Sequence, residues 1–124
     1  MMDEYRRGWA HRYLREAKAE LEAAQKIPYM APSLMIEAIH KARNAIYYSL
    51  GEPAFIEVLI RDELAKQKTA DDVILRFLIE MEQTVQQLDQ LEEINDDAML
   101  KQADTIVQVA SEFVETFTGE KMEN

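Results

Sequence analysis

Glycine and proline occur only three times each in 124 residues, and four of these six breakers fall between positions 28 and 53. A many-stranded chain needs turn residues every few positions. Such scarcity leaves long uninterrupted runs that suit helices. Pro28 and Pro32 bracket one short break, and Gly51 and Pro53 mark a second. Two long arms joined by about four residues must lie antiparallel and side by side. The chain is therefore predicted to open as a helical hairpin turning through Tyr29, Met30, Ala31 and Pro32.

Apolar spacing fills in the arms. A first helix is predicted from Asp3 to Ile27, with Ala10, Leu14, Ala17, Leu21 and Ala24 on one stripe by alternating steps of four and three. Tyr5, Trp9 and Tyr13 form an aromatic ladder beside it. A second helix is predicted from Pro32, a residue suited to a first turn, with Met35, Ile39, Ala42, Ile46 and Leu50 inward. Gly51 reads as its left-handed C-terminal cap, followed by Pro53. A shorter third helix, Pro53 to Gln67, offers Phe55, Ile56, Leu59, Ile60 and Leu64. Thr69 with Asp72 reads as a capping box for a fourth helix, running to about Ile94 on Ile74, Leu78, Met81, Val85, Leu88 and Leu91. Asn95, Asp96 and Asp97 separate it from a fifth, carrying Leu100, Ala103, Val107, Ala110, Phe113 and Phe117 and ending at Gly119. The expected fold is all-α: a single domain over 1–124, an up-and-down bundle of four long helices plus one short helix, with 119–124 a frayed tail.

The chain has 48% hydrophobic and 31% charged residues and no cysteine. That balance is globular, and it excludes disulfides, thiolate metal sites and a cysteine nucleophile, which fits a reducing compartment. Residues 1–7 lead into no apolar run and no stretch reaches membrane-spanning length, so a cytoplasmic location is expected. The net charge of −10 is uneven. Residues 1–68 hold 11 bases and 10 acids, whereas residues 69–124 hold 3 bases and 14 acids, a net of −11. Long-range repulsion of nucleic acid follows unless the basic face is segregated.

Three features invite chemistry. His40, Arg43 and Tyr47 lie at or within the apolar face of the second helix, and a guanidinium there needs a carboxylate, a water-filled cavity, a partner chain or a ligand. These three are the candidate binding residues. Glu37 and His40 form a Glu-x-x-His pair, the spacing with which ferritin-like bundles hold iron. One pair is only half a site, so metal binding would need dimerisation, and the alternative is a surface ion pair. Arg6, Arg7, Arg12, Arg15 and Lys18 interleave with the aromatic ladder, a pattern that can hold single-stranded RNA, although Glu16, Glu20 and Glu22 offer intrahelical partners. No phosphate loop, nucleophile elbow or His-Glu-x-x-His is present, and no cofactor is implied.

The stretch AHRYLREAKAELEAAQKIPYMAPSLMIEAIHKARNAIYYSLG, Ala10 to Gly51, resembles the opening hairpin of the HEPN family of small helical bundles. It shares an Ala/Leu-rich helix, a turn carrying an aromatic residue, and an Ala-rich helix ending at Leu-Gly. The resemblance implies a homodimer. It also implies either a ribonuclease or toxin component, or a non-catalytic module that binds a protein, nucleotide or RNA partner. Ribonuclease members carry Arg-x(4–6)-His in a late helix, and the late helices here contain no histidine. Arg6 to His11 has the spacing in the wrong helix; Arg43 to Tyr48 has tyrosine where histidine would stand. Without imidazole the usual general base near neutral pH is missing. The resemblance therefore implies a non-catalytic, dimeric binding module, with a divergent ribonuclease as one alternative; the Glu37/His40 spacing leaves a half-site ferritin-like metal protein assembled by dimerisation as another.

Overall fold

The computed structural model describes residues 4–66, 73–90 and 96–119. Five α-helices account for nearly all of them: α1 (Glu4–Lys26), α2 (Ala31–Leu50), α3 (Pro53–Lys66), α4 (Val73–Asp89) and α5 (Asp96–Thr118). No strand occurs among the described residues. The expected all-α bundle with one short helix is what forms. No helix is long and apolar enough to cross a membrane among these residues.

The hairpin closes one residue earlier than its prolines suggest. Ile27 breaks from helical geometry, Pro28–Met30 make a single 3-10 turn, and α2 is already under way at Ala31 with Pro32 in its first turn. A proline at that position sacrifices no helical hydrogen bond. The α1 stripe buries as spaced: Ala10, Leu14, Ala17, Leu21 and Ala24 are all in the core. Facing it, α2 buries Ala31, Met35, Ala38, Ile39, Ala42, Ala45 and Ile46. Small side chains along both faces let the backbones come close, and among the described residues α1 with α2 forms the most extensive contact. Each of Leu14, Met35, Ile39 and Ile46 contributes roughly 1.5–3 kcal/mol by leaving water.

α5 lies next to both arms, and α4 is held more sparingly against α2 and α3. Cross-helix pairs give the directions. Lys18 of α1 meets Ser111 of α5, while His40 and Arg43 of α2 meet Asp89 and Glu82 of α4 in reverse order. The second pairing makes α4 antiparallel to α2.

Several expectations need correction. On α5 the inward row is Met99, Ala103, Val107, Ala110 and Val114; Leu100 and Phe113 are only partly buried and Phe117 is exposed. The small residues of that row fit the narrow space against α1 and α2, so the aromatics are rotated aside. On α3 Ile60 is fully buried, Ile56 is half-buried and Phe55 and Leu59 face out, while the side chain of Leu64 lies outside the described residues. Ile74, at the start of α4, is likewise exposed. Gly51 is not a left-handed cap: at φ 174° and ψ −156° its backbone is extended, and a Cβ there would sit 3.3 Å from Ile56 Cδ1. The positive φ belongs to Gly119, at 73°. α4 is described as Val73–Asp89, and the expected end at Ile94 lies outside the described residues. The Thr69/Asp72 box, Leu91, Asn95 and the 120–124 tail lie outside the described residues.

Candidate functional site

His40, Arg43 and Tyr47 are three and seven residues apart, so one face of α2 presents all of them. That face meets α4, where Glu82 and Asp89 are two turns apart and match them. Arg43 Nη1 donates to Glu82 Oε1 at 3.2 Å, and the Tyr47 hydroxyl donates to Glu82 Oε2 at 2.6 Å. His40 Nε2 lies 2.9 Å from Asp89 Oδ1. Arg43 and Glu82 side chains are each 18% exposed, and Tyr47 is fully buried. The carboxylate that Arg43 required thus comes from the same chain, and the trio forms a polar seam between α2 and α4. Arg43 Nε is buried with no hydrogen-bond partner among the described residues.

Electrostatics sharpen this seam. Burial, then donation to Glu82 and proximity to its charge, hold the Tyr47 phenol far above its ordinary value, with Arg43 opposing. Tyr47 is therefore a locked, neutral donor and not a proton shuttle. Beside it, Tyr47, Glu57, Ile60, Arg61, Glu82 and Gln86 line a cavity of about 230 Å³.

Glu37 and His40 do not converge. His40 turns to Asp89, while Glu37 is exposed and sits 3.5 Å from Lys41. Among the described residues no group of three His, Asp or Glu side chains is placed to hold a metal ion. Lys41 is instead the centre of a second polar seam, between α1 and α2: it binds Glu20 directly, with Glu16 at 3.7 Å. Burial raises the Glu20 carboxyl despite Lys41, and the hydrogen bond to Glu20 raises Lys41.

The aromatic ladder extends further than its spacing implied. Trp9 stands 6.3 Å from Tyr5 and 5.6 Å from Tyr13 between ring centroids. Tyr48 of α2 then stacks on both Trp9, at 6.2 Å, and Tyr13, at 5.7 Å. The Arg12 guanidinium lies 4.8 Å over the Trp9 ring and 3.6 Å from Glu16. Trp9, Tyr13 and Tyr48 are half-buried and Tyr5 is largely exposed, so four rings form a ledge open on one side. Burial and the neighbouring Tyr5, Tyr13 and Glu52 raise the Tyr48 phenol. Tyr48 could have been found from sequence: in an antiparallel hairpin the end of α2 must return beside the start of α1. Lys26 pairs with Glu22 in the last turn of α1, as intrahelical neutralisation predicts. His11 is half-buried on α1.

No family model matches the chain, and neither does any curated protein or solved structure.

Proposed function

We propose that this chain is a non-catalytic, HEPN-like interaction module that works as a homodimer through the aromatic ledge of its hairpin. The observation that carries the reading is the four-ring stack of Tyr5, Trp9, Tyr13 and Tyr48, open on one side and edged by charges of both signs. Aromatic rings bury large area at small entropic cost, and they concentrate at the centres of interfaces. Arg12 and Glu16 on the same surface give a two-fold partner both halves of an ion pair, which suits an isologous contact. Charge also favours this half of the molecule. Residues 1–68 are nearly neutral, whereas bringing two copies of residues 69–124 together would oppose two charges of −11.

Enzymatic readings find less support. The polar trio is engaged with α4, and Tyr47 is held protonated. If the chain were a divergent ribonuclease through Arg6 and His11, RNA cleavage would fall in His11→Ala and persist in His40→Ala; equal cleavage by both and by the parent protein would mark a contaminant.

Trp9 is the only tryptophan, so its emission reports the ledge directly. Size-exclusion chromatography with light scattering should show a dimer that dissociates on dilution, with a matching shift in Trp9 emission. Trp9→Ala with Tyr48→Ala should give a monomer of unchanged helicity. A strict monomer at high concentration would overturn the reading. Quenching of Trp9 by short single-stranded RNA, without a change in mass on dilution, would assign the ledge to nucleotide stacking instead.

A further inference from the structure

α3 and α4 touch each other and α2, and the cavity of about 230 Å³ lies where the three meet. Glu57 and Arg61 stand one turn apart on α3, and Glu82 and Gln86 one turn apart on α4. Tyr47 and Ile60 are its buried members, whereas Glu57, Arg61 and Gln86 are exposed at its rim. Arg43 and Tyr47 hold the Glu82 carboxylate in place. The rim is different. A glutamate four residues before a cation on a helix can close into an intrahelical pair, as Glu22 does with Lys26. Among the described residues neither Glu57 nor Arg61 makes an ion pair, and the Gln86 side chain makes no hydrogen bond. Glu57 nevertheless faces the cavity closely enough for its charge to act on the Tyr47 phenol.

The balance of charge and the size of the space limit what fits. With Arg43 behind Glu82, the surroundings hold two carboxylates and two guanidiniums, a sum of zero. A ligand of one sign would leave one rim charge unmatched, whereas a molecule carrying both signs answers Glu57 and Arg61 together. The volume falls short of the roughly 300–1,000 Å³ of pockets for drug-sized ligands. At about 30 Å³ per water it corresponds to about eight waters, too little for a nucleotide. Ile60 is the one aliphatic side chain in the lining. We propose that this cavity binds a small zwitterion, a free amino acid with a short aliphatic side chain. Its ammonium donates to Glu57 and to the second lone pairs of Glu82; its carboxylate accepts from Arg61 and the Gln86 amide; its side chain covers Ile60. The lining includes no residue of the aromatic ledge, so the proposal does not rest on the dimer.

The probe is L-valine, followed through its methyl signals by saturation-transfer difference NMR with the full chain. Isovalerate, which lacks the ammonium, and isobutylamine, which lacks the carboxylate, are the controls. Valine should bind saturably with a Kd on the order of a millimolar, the range open to a ligand with so few atoms. Each control should bind about tenfold more weakly, because one charge-assisted contact is lost. Arg61→Gln should weaken valine about tenfold and leave isobutylamine unchanged. Glu57→Gln should weaken valine about tenfold and leave isovalerate unchanged. Both positions are exposed, so circular dichroism should show the same helicity. Asp62→Asn, on the same helix but outside the cavity, should have no effect. Four results would overturn the proposal: no saturable valine binding at about ten times that Kd; either control binding as tightly as valine; unchanged valine binding in Arg61→Gln or Glu57→Gln; or equal weakening by Asp62→Asn.

Discussion

Glu82 neutralises Arg43 and accepts the Tyr47 hydroxyl bond, so Glu82→Leu strands two buried polar groups at once. An unsatisfied buried hydroxyl costs about 1–3 kcal/mol. A charge left without its partner costs about 3–5 kcal/mol when fully buried. Arg43 keeps 18% of its exposure and a long stem that can swing toward water, so about half of that range applies. The added leucine returns about 1 kcal/mol of burial. The net expectation is a loss of about 2–3 kcal/mol, or a fall in Tm of roughly 10 °C at this chain length. The triple variant Arg43→Met/Tyr47→Phe/Glu82→Leu removes every stranded group while keeping the volume. It should lie within about 1 kcal/mol of the parent protein. Urea unfolding followed by far-ultraviolet circular dichroism measures all of these, and constant slopes would show that the denatured state is unchanged. If Glu82→Leu changes stability by less than about 0.5 kcal/mol, or the triple variant is no better than the single one, the seam is not a structural device. Arg43 would then have to be reconsidered as a ligand-binding group.

Alkali should destabilise the fold. Tyr47 and Lys41 both have raised values when folded, so the unfolded chain releases these protons first. Their contribution is complete below about pH 10 and is lost as pH rises beyond it. The urea midpoint should fall less steeply between about pH 9 and 11 in Tyr47→Phe than in the parent protein; equal slopes would contradict the assignment. Ala42→Leu, in the close α1/α2 seam, should cost more than about 2 kcal/mol by overpacking, and a smaller loss would mean that these backbones can separate. Gly51→Ala meets flexible side-chain ends, of Ile56 and Arg6, and should stay within about 1 kcal/mol of the parent, whereas Gly119→Ala must strain a positive φ and should cost about 1 kcal/mol. The reverse order in thermal melts would reinstate Gly51 as a left-handed cap.

The hairpin was legible because its information is local. Steps of three and four place Ala10 through Ala24 on one side, and Pro28 and Pro32 leave the chain nowhere else to turn. The outer helices were harder for a reason visible on α5. Two neighbouring rows are both apolar, and bulk drew the reading to Phe113 and Phe117. What decides is the width of the space, which admits Ala103, Ala110 and Val114. α3 misled in the same way, because Phe55, Ile56, Leu59 and Ile60 promise a buried face and, of these four, only Ile60 is fully buried. At the polar seam, sequence required that Arg43 meet an anion. It could not say which, because Glu82 lies 39 positions away and is one acid among 24.

The manner in which α4 is attached has a consequence for how the molecule opens. α1, α2 and α5 pack over extensive surfaces, while α4 buries Leu78, Met81, Val85 and Leu88 over a smaller one, meets α2 partly through carboxylates at Glu82 and Asp89, and leaves a furrow on its other side. The smaller surface exposes less apolar area on opening, and its carboxylates regain water as it does so. Amide protons of α3 and α4 should therefore exchange through a partial opening, well before those of the hairpin, which require the whole chain to unfold.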